Sequence, residues 1–157
     1  MNIWPPFLFS GIKITDLPED FLSATVRLRL RWWNRNVAGV LFGGSLFAMT
    51  DPFWMMLLLR HLGKENVIWD RAAEIDFIKP GRGDVVAHFA ITEADIERLR
   101  EAASGGAKVL EWFTVEVRDS TGDVVARVRK QVYLRRKREL PVPGSATSLP
   151  SPDQAVR

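Results

Sequence analysis

The segment from Gly44 to Leu62 is apolar on nearly every side, with Leu46, Phe47, Met49, Phe53, Trp54, Met55, Met56, Leu57, Leu58 and Leu59. It is too long for one strand, and it lacks the polar stripe of a surface helix. A helix that is hydrophobic all round has to be buried. The rest of the chain must therefore wrap it. Two residues break the run. Asp51 brings a carboxylate that is costly to desolvate unless it is paired. Pro52 has no N–H, so it kinks the helix or restarts it with Asp51 as the cap. Gly63 supplies the C-terminal stop.

The flanking pattern says what does the wrapping. From Thr25 the chain alternates strictly, with Val26, Leu28, Leu30 and Trp32 on one face and Arg27, Arg29, Arg31 and Trp33 on the other. That reads as a half-buried antiparallel strand. After the helix come a long, bulged strand over 67–78, a turn over Lys79–Asp84 and a strand over 85–91. Thr92 and Asp95 have capping-box spacing and open a short helix to about Ala103. Strands over 109–118 and 124–134 are joined by the Asp119–Asp123 hairpin turn. Asp16 reads as a turn or cap residue after an irregular amphipathic start. One helix wrapped by an antiparallel sheet is an α+β architecture. The expected layout is a single domain over 1–138. The Pro/Ser/Gly/Ala-rich segment 139–157 has too few large apolar residues to order itself and is expected to be a disordered tail.

Composition removes several functions. The chain has 157 residues and no cysteine, which excludes disulfides and thiolate catalysis. Its two histidines, His61 and His88, are not in metal-ligand spacing, so no metal is expected. No apolar run is long enough to span a bilayer, and the N-terminus lacks a signal-peptide pattern, so a cytoplasmic protein is expected. The net charge of +3 is uneven. Arg127, Arg129 and Lys130 precede the Arg135–Arg138 cluster, a pattern that either contacts phosphate or forms a solvated face. No nucleic-acid-binding motif accompanies it, and no nucleic-acid partner is expected.

The strand-to-helix corner carries the chemistry. It reads Asn36-Val-Ala-Gly39-Val-Leu-Phe42-Gly43-Gly44-Ser-Leu-Phe47-Ala48-Met-Thr-Asp51. By itself Asn36 is either a turn cap or a polar group of a site. Gly43 and Gly44 either serve helix–strand packing or let the backbone approach a ligand closely. A backbone N–H at a helix start is a suitable donor to a developing oxyanion. Asp51 either caps the helix at Pro52 or faces a pocket as a base or nucleophile. The aromatics Phe47, Phe53 and Trp54 are assigned to the core.

This corner resembles the motif Asn-x-x-Gly-x-x-His-Gly-Gly-x-x-Phe-Ala-x-x-Asp of acyl-CoA thioesterases of the phenylacetate-pathway type, which have the hotdog fold. Asn36, Gly39, Gly43, Gly44, Phe47, Ala48 and Asp51 match without gaps, and Phe42 stands where that family has histidine. The segment Ile75-Asp-Phe77-Ile-Lys-Pro80-Gly-x-Gly-Asp84 resembles the strand and turn after the helix in the same superfamily. The version here is most similar to an uncharacterised Phe-Gly-Gly-Ser branch.

The resemblance implies a curved sheet around one long helix and an acyl-thioester hydrolase. In it Asp51 is general base or nucleophile, the Gly43 amide is the oxyanion donor, and Asn36 orients the carbonyl or the water. Phe42 and Gly44 would line the substrate site. Lys79, Arg82 and the Arg135–Arg138 cluster would meet the CoA phosphates. Acyl-CoA would be a substrate, with no separate cofactor. A homodimer or dimer of dimers is implied as well. The alternative is a non-catalytic hotdog module that binds a fatty-acyl or other apolar ligand, which Phe42 and the very apolar helix favour.

Overall fold

The computed structural model describes residues 2–137. The expected tail over 139–157 and Arg138 lie outside them. Alternating apolar residues build β2 (Ser23–Leu28), β4 (Val85–Ala90), β5 (Val109–Asp119) and β6 (Val124–Arg136). Ala24, Val26 and Leu28 of β2 and Val85, Ala87 and Phe89 of β4 are fully buried, as their period of two requires. With β1 (Ile12–Asp16) and β3 (Asn66–Phe77) they form a six-stranded antiparallel sheet in the order β1-β2-β4-β5-β6-β3. The sheet curves around the apolar segment. This is the α+β hotdog architecture that the motif implies.

The central segment is not one helix. It is α2 (Gly43–Ala48), a turn over 49–52, and α3 (Phe53–Leu62). Pro52 interrupts the backbone ladder, and α3 restarts with Met56 N–H donating to the Pro52 carbonyl at 2.9 Å. The expected cap is absent, because Pro52 itself occupies the N-cap position and no side chain caps α3. Gly63 ends the helix as expected.

An aromatic chain ties α3 to its surroundings. Phe53 lies 6.1 Å from Phe7 of α1 (Pro5–Ser10) and 4.9 Å from Phe89 of β4. Trp54 lies 5.3 Å from Phe89 and 4.8 Å from Phe113 of β5. Beyond β4, α4 (Glu93–Ser104) starts with the expected box, as Asp95 N–H donates to Thr92 Oγ1 and Thr92 N–H donates to Asp95 Oδ2, both at 3.1 Å.

Two expectations change. The strand from Thr25 ends at Leu28, and both tryptophans are exposed, Trp32 at 80% and Trp33 at 51%. The cause is Asn34, which is buried. Its Oδ1 accepts from Arg31 N–H at 2.7 Å, and its Nδ2 donates to the Arg29 carbonyl at 2.7 Å and the Ser10 carbonyl at 2.9 Å. Satisfying that amide folds 32–34 into a 3-10 turn and pulls the tryptophans off the sheet. Asp16 is likewise not a helix cap. It is the last residue of β1, which pairs with β2 at one edge of the sheet.

The aromatic chain gives a test. Phe53→Ala should cost about 3–5 kcal/mol in urea unfolding, and Phe53→Leu about half of that. Equal, small losses would show that Phe53 does not join α1 to the sheet.

Candidate active site

The corner before α2 is a small closed loop. Arg35 and Leu41 form an antiparallel bridge, and Asn36 N–H donates to the Val40 carbonyl at 2.8 Å. Asn36 Oδ1 accepts from Ala38 N–H at 2.9 Å and Val40 N–H at 3.3 Å. The amide oxygen is therefore committed to the turn. Among the described residues Nδ2 has no partner, so Asn36 can present only a donor. Gly39 turns the chain at φ 75°, a conformation that side chains other than glycine rarely adopt. Leu41 N–H donates to the Gly81 carbonyl at 2.9 Å, which fastens the loop to the turn after β3.

These two turns enclose an open cleft of about 480 Å³. Asn36, Gly43 and Lys79 line it with Leu41, Leu46, Phe77 and Ile78. Three of the residues singled out in the sequence thus come together. Gly43 allows a close approach, since a Cβ there would sit 2.9 Å from the tip of the Phe77 ring. Phe42 and Gly44 do not line the cleft. The Phe42 ring packs over Gly44, where a Cβ would collide with it. An exposed benzyl group thereby covers one glycine of the pair and leaves the other at the cleft wall.

Of the proposed cations, Arg135 and Arg136 donate to the Gly106 and Ser104 carbonyls at the end of α4, and neither lines the cleft, while Lys79 and Arg82 differ from each other. Lys79 Nζ contacts Asp119 at 2.7 Å and Asp123 at 2.6 Å. Its hydrogen bonds to these carboxylates raise the ammonium above its ordinary value. Lys79 in turn, with help from Thr121, holds the Asp119 carboxyl well below the carboxylate range. Lys79 therefore brings no net positive charge to the cleft. Arg82 is exposed beside this clamp, and among the described residues it forms no ion pair.

Asp51 is not in the cleft, whose walls carry no acid. Eight residues of mostly helical rise put it on the order of 12 Å from Gly43. It is not buried either, since its side chain is 56% exposed. Its carboxylate accepts from Lys130 Nζ at 2.6 Å, and its carbonyl accepts from the same ammonium at 2.7 Å. Lys130 also donates to Asp70 Oδ2 at 2.7 Å. Lys130 is 2% exposed, and Asp70 is 20% exposed with a buried, unpartnered Oδ1. Burial raises the Asp70 carboxyl and the Asp51 charge adds to this, while Lys130 opposes both.

Sequence reasoning counted Lys130 with the basic surface run and passed over Asp70. Their signal was phase. Lys130 falls in step with the buried Ala126, Val128, Val132 and Leu134 on β6, and Asp70 falls in step with the buried Asn66 and Ile68 on β3.

Solved structures share this architecture at low identity. A Pseudomonas aeruginosa protein of unknown function, described as a probable thioesterase, is 21% identical over 82% of this chain and 85% of its own, with a TM-score of 0.74. A thioesterase from Haemophilus influenzae is 13% identical over 83% and 82%, with a TM-score of 0.60. A variant of a thioesterase from Staphylococcus aureus is 10% identical over 84% and 99%, with a TM-score of 0.62. No curated protein gives a significant match. Residues 1–134 match the model of the family described as Domain of unknown function (DUF4442), and this chain, with its hotdog fold, belongs to that family.

Proposed function

We infer that the chain is an acyl-thioester hydrolase that acts on acyl-CoA as a homodimer. The observation that carries this reading is the cleft itself. Asn36 and the Gly43 backbone face an apolar trough of a size that suits a small acyl group. The Asn36 Nδ2 and Gly43 N–H groups are the donors for the thioester carbonyl. Asp51 in its ionised form takes a proton from water as the water oxygen adds to that carbonyl. The oxyanion rests on the two donors, and collapse of the tetrahedral adduct breaks the C–S bond and expels the thiolate, which takes the proton back from Asp51 to leave as the thiol, with the carboxylic acid as the other product. Attack by the Asp51 carboxylate itself, through an anhydride, satisfies the same geometry.

Within one copy Asp51 lies outside the cleft, beyond the end of α2 and up to about 12 Å from Gly43. The exposed Asp51 of one copy then serves the cleft of the other. The free edge of β3 supports such pairing. β3 bonds only to β6, its residues 71–74, Asp76 and Phe77 are exposed, and an open edge invites another strand. Phe77 and Ile78 continue the apolar surface from that edge into the cleft. Arg82, beside the cleft mouth, is the cation for the CoA phosphates.

The second reading is a module that binds an acyl group without turnover. The Phe42 ring over Gly44 favours it, because a benzyl group supplies no proton or hydrogen bond where the family motif has a histidine.

Two measurements decide. Thiol release from an acyl-CoA panel should fall by a factor of about 10²–10⁴ in Asp51→Asn and about 10–10² in Asn36→Ala. Equal rates for wild type and Asp51→Asn would remove Asp51 from the mechanism. An acyl ligand retained through purification, without turnover, would establish the binding module. In size-exclusion chromatography with light scattering, the wild type should run as a dimer. Ala73→Pro should shift it toward monomer and lower hydrolysis in parallel. A monomeric, active wild type would exclude a shared site.

A further inference from the structure

The Lys130 cluster is more than the repair of a helix break. Lys130 reaches from the inner face of β6 to the turn between α2 and α3 and grips Asp51 at two atoms, carbonyl and Oδ1. That double hold fixes both the main chain and the side-chain torsion of Asp51. Oδ2 is left without a partner among the described residues. Phe47 of α2 closes the site on another side, with Nζ 5.9 Å from its ring centre. From β3, Asp70 takes the third contact. One cation therefore faces two carboxylates, and no other charged side chain among the described residues bonds to any of the three.

A purely structural bridge would not need this composition. Burying a lysine costs desolvation free energy, and a buried ion pair is often replaceable by apolar residues of similar volume without loss of stability. Satisfying the Asp51 carbonyl would take one donor and no second carboxylate. The two contacts from Lys130 fix the orientation of an exposed acid.

We propose that Lys130 is the positioning residue of the site, holding Asp51 ionised with Oδ2 as its reacting oxygen, and that Asp70 is the opposing charge that keeps Asp51 basic enough to accept a proton. Lys130 touches no substrate in this scheme and acts only through Asp51. The inference rests on the hydrolase reading above. It adds a cation and a counter-charge that the corner motif does not contain.

The signs follow from the charges. Asp51 works ionised, so kcat/KM falls as pH drops through its pKa. Removing the ammonium disfavours the ionised form and moves that acid limb to higher pH. Removing the Asp70 charge favours the ionised form and moves the limb to lower pH. The experiment uses the full-length protein with one acyl-CoA of the panel. Lys130→Met should lower kcat about 10–100-fold with KM little changed and move the acid limb to higher pH. Lys130→Arg should keep the limb near its wild-type position. Asp70→Asn keeps the lysine and its acceptor, guards against a Met variant that fails to fold, and should shift the limb down.

A loss of kcat in all three variants without movement of the limb would reduce the cluster to a structural bridge and overturn the proposal. The carboxyl ¹³C titration of Asp51, followed by NMR in the same variants, gives the same signs without turnover. If the wild type hydrolyses no acyl-CoA, the hydrolase reading fails while the Asp51 titration still judges Lys130; if wild type and Asp51→Asn hydrolyse equally, Asp51 leaves the mechanism and the positioning role is overturned with it. If Asp51→Asn is inactive while the Asp51 titration is the same in all variants, the positioning role fails alone.

Discussion

One ammonium group holds the centre of this molecule. Lys130 sits in a row of valine, alanine and leucine on β6, and its charge is met by Asp51 and Asp70. Without a partner, a cation at that depth would be strongly unfavourable. The partners therefore decide where the turn between α2 and α3 lies against the sheet. Pro52 makes the break, and Lys130 receives the carbonyl that the break exposes. The sheet and the helical layer are joined there by charge. Around α3 they are joined by the aromatic chain from Phe7 to Phe113. The apolar joint gives most of the cohesion, being non-directional and proportional to area. The ionic joint gives direction, because it fixes one residue at two points.

The corner depends on that joint at a distance. Leu41 binds the loop to Gly81, and the Lys79 clamp binds the turn at 79–84 to the Asp119–Asp123 hairpin. Both walls of the cleft are thus held by local contacts on the sheet side. The floor, Leu46, is on α2, whose far end is set by the Asp51 turn. A shift at the Lys130 cluster would move α2 as a short rigid piece and change the cleft from below. The clamp at Lys79 is half-buried at Lys79 and Asp119 and exposed at Asp123, and it fixes the register of two turns.

Much of the fold was legible because hydrophobic period is a strong signal. The apolar run 44–62, the alternation on β2, β4, β5 and β6, the capping box at Thr92 and the hairpin at Asp119 all follow from local chemistry. The misses are places where a long-range polar contact overrode the local pattern. Alternation runs through Trp32, yet Asn34 finds acceptors at Ser10 and Arg29 and bends the chain away. β1 is short and owes its place to pairing with β2. The corner was legible as a motif, and Asn36, Gly43 and Lys79 do share one cleft. Lys130 and Asp70 were not, because charged residues in a basic run are by default read as exposed. Their phase on the strands was visible, but phase alone cannot name a partner sixty residues or more away.

The separation of cleft and acid also bears on why glycine and phenylalanine occupy the corner as they do. Within one copy Asp51 lies outside the cleft, and the acids beside the cleft, Asp119 and Asp123, are paired with the Lys79 ammonium on the cleft wall. The cation that balances Asp51 is buried behind it, away from solvent, and the cleft keeps an apolar wall of Leu41, Leu46 and Phe77. Phe42 extends that apolar character over Gly44. That cover lies over Gly44 and leaves the Gly43 amide at the cleft wall. Phe42, where the resembled motif has histidine, thus supplies no donor and adds apolar surface beside the corner. The loss of the donor works against hydrolysis, whereas the apolar surface suits the retention of an acyl group.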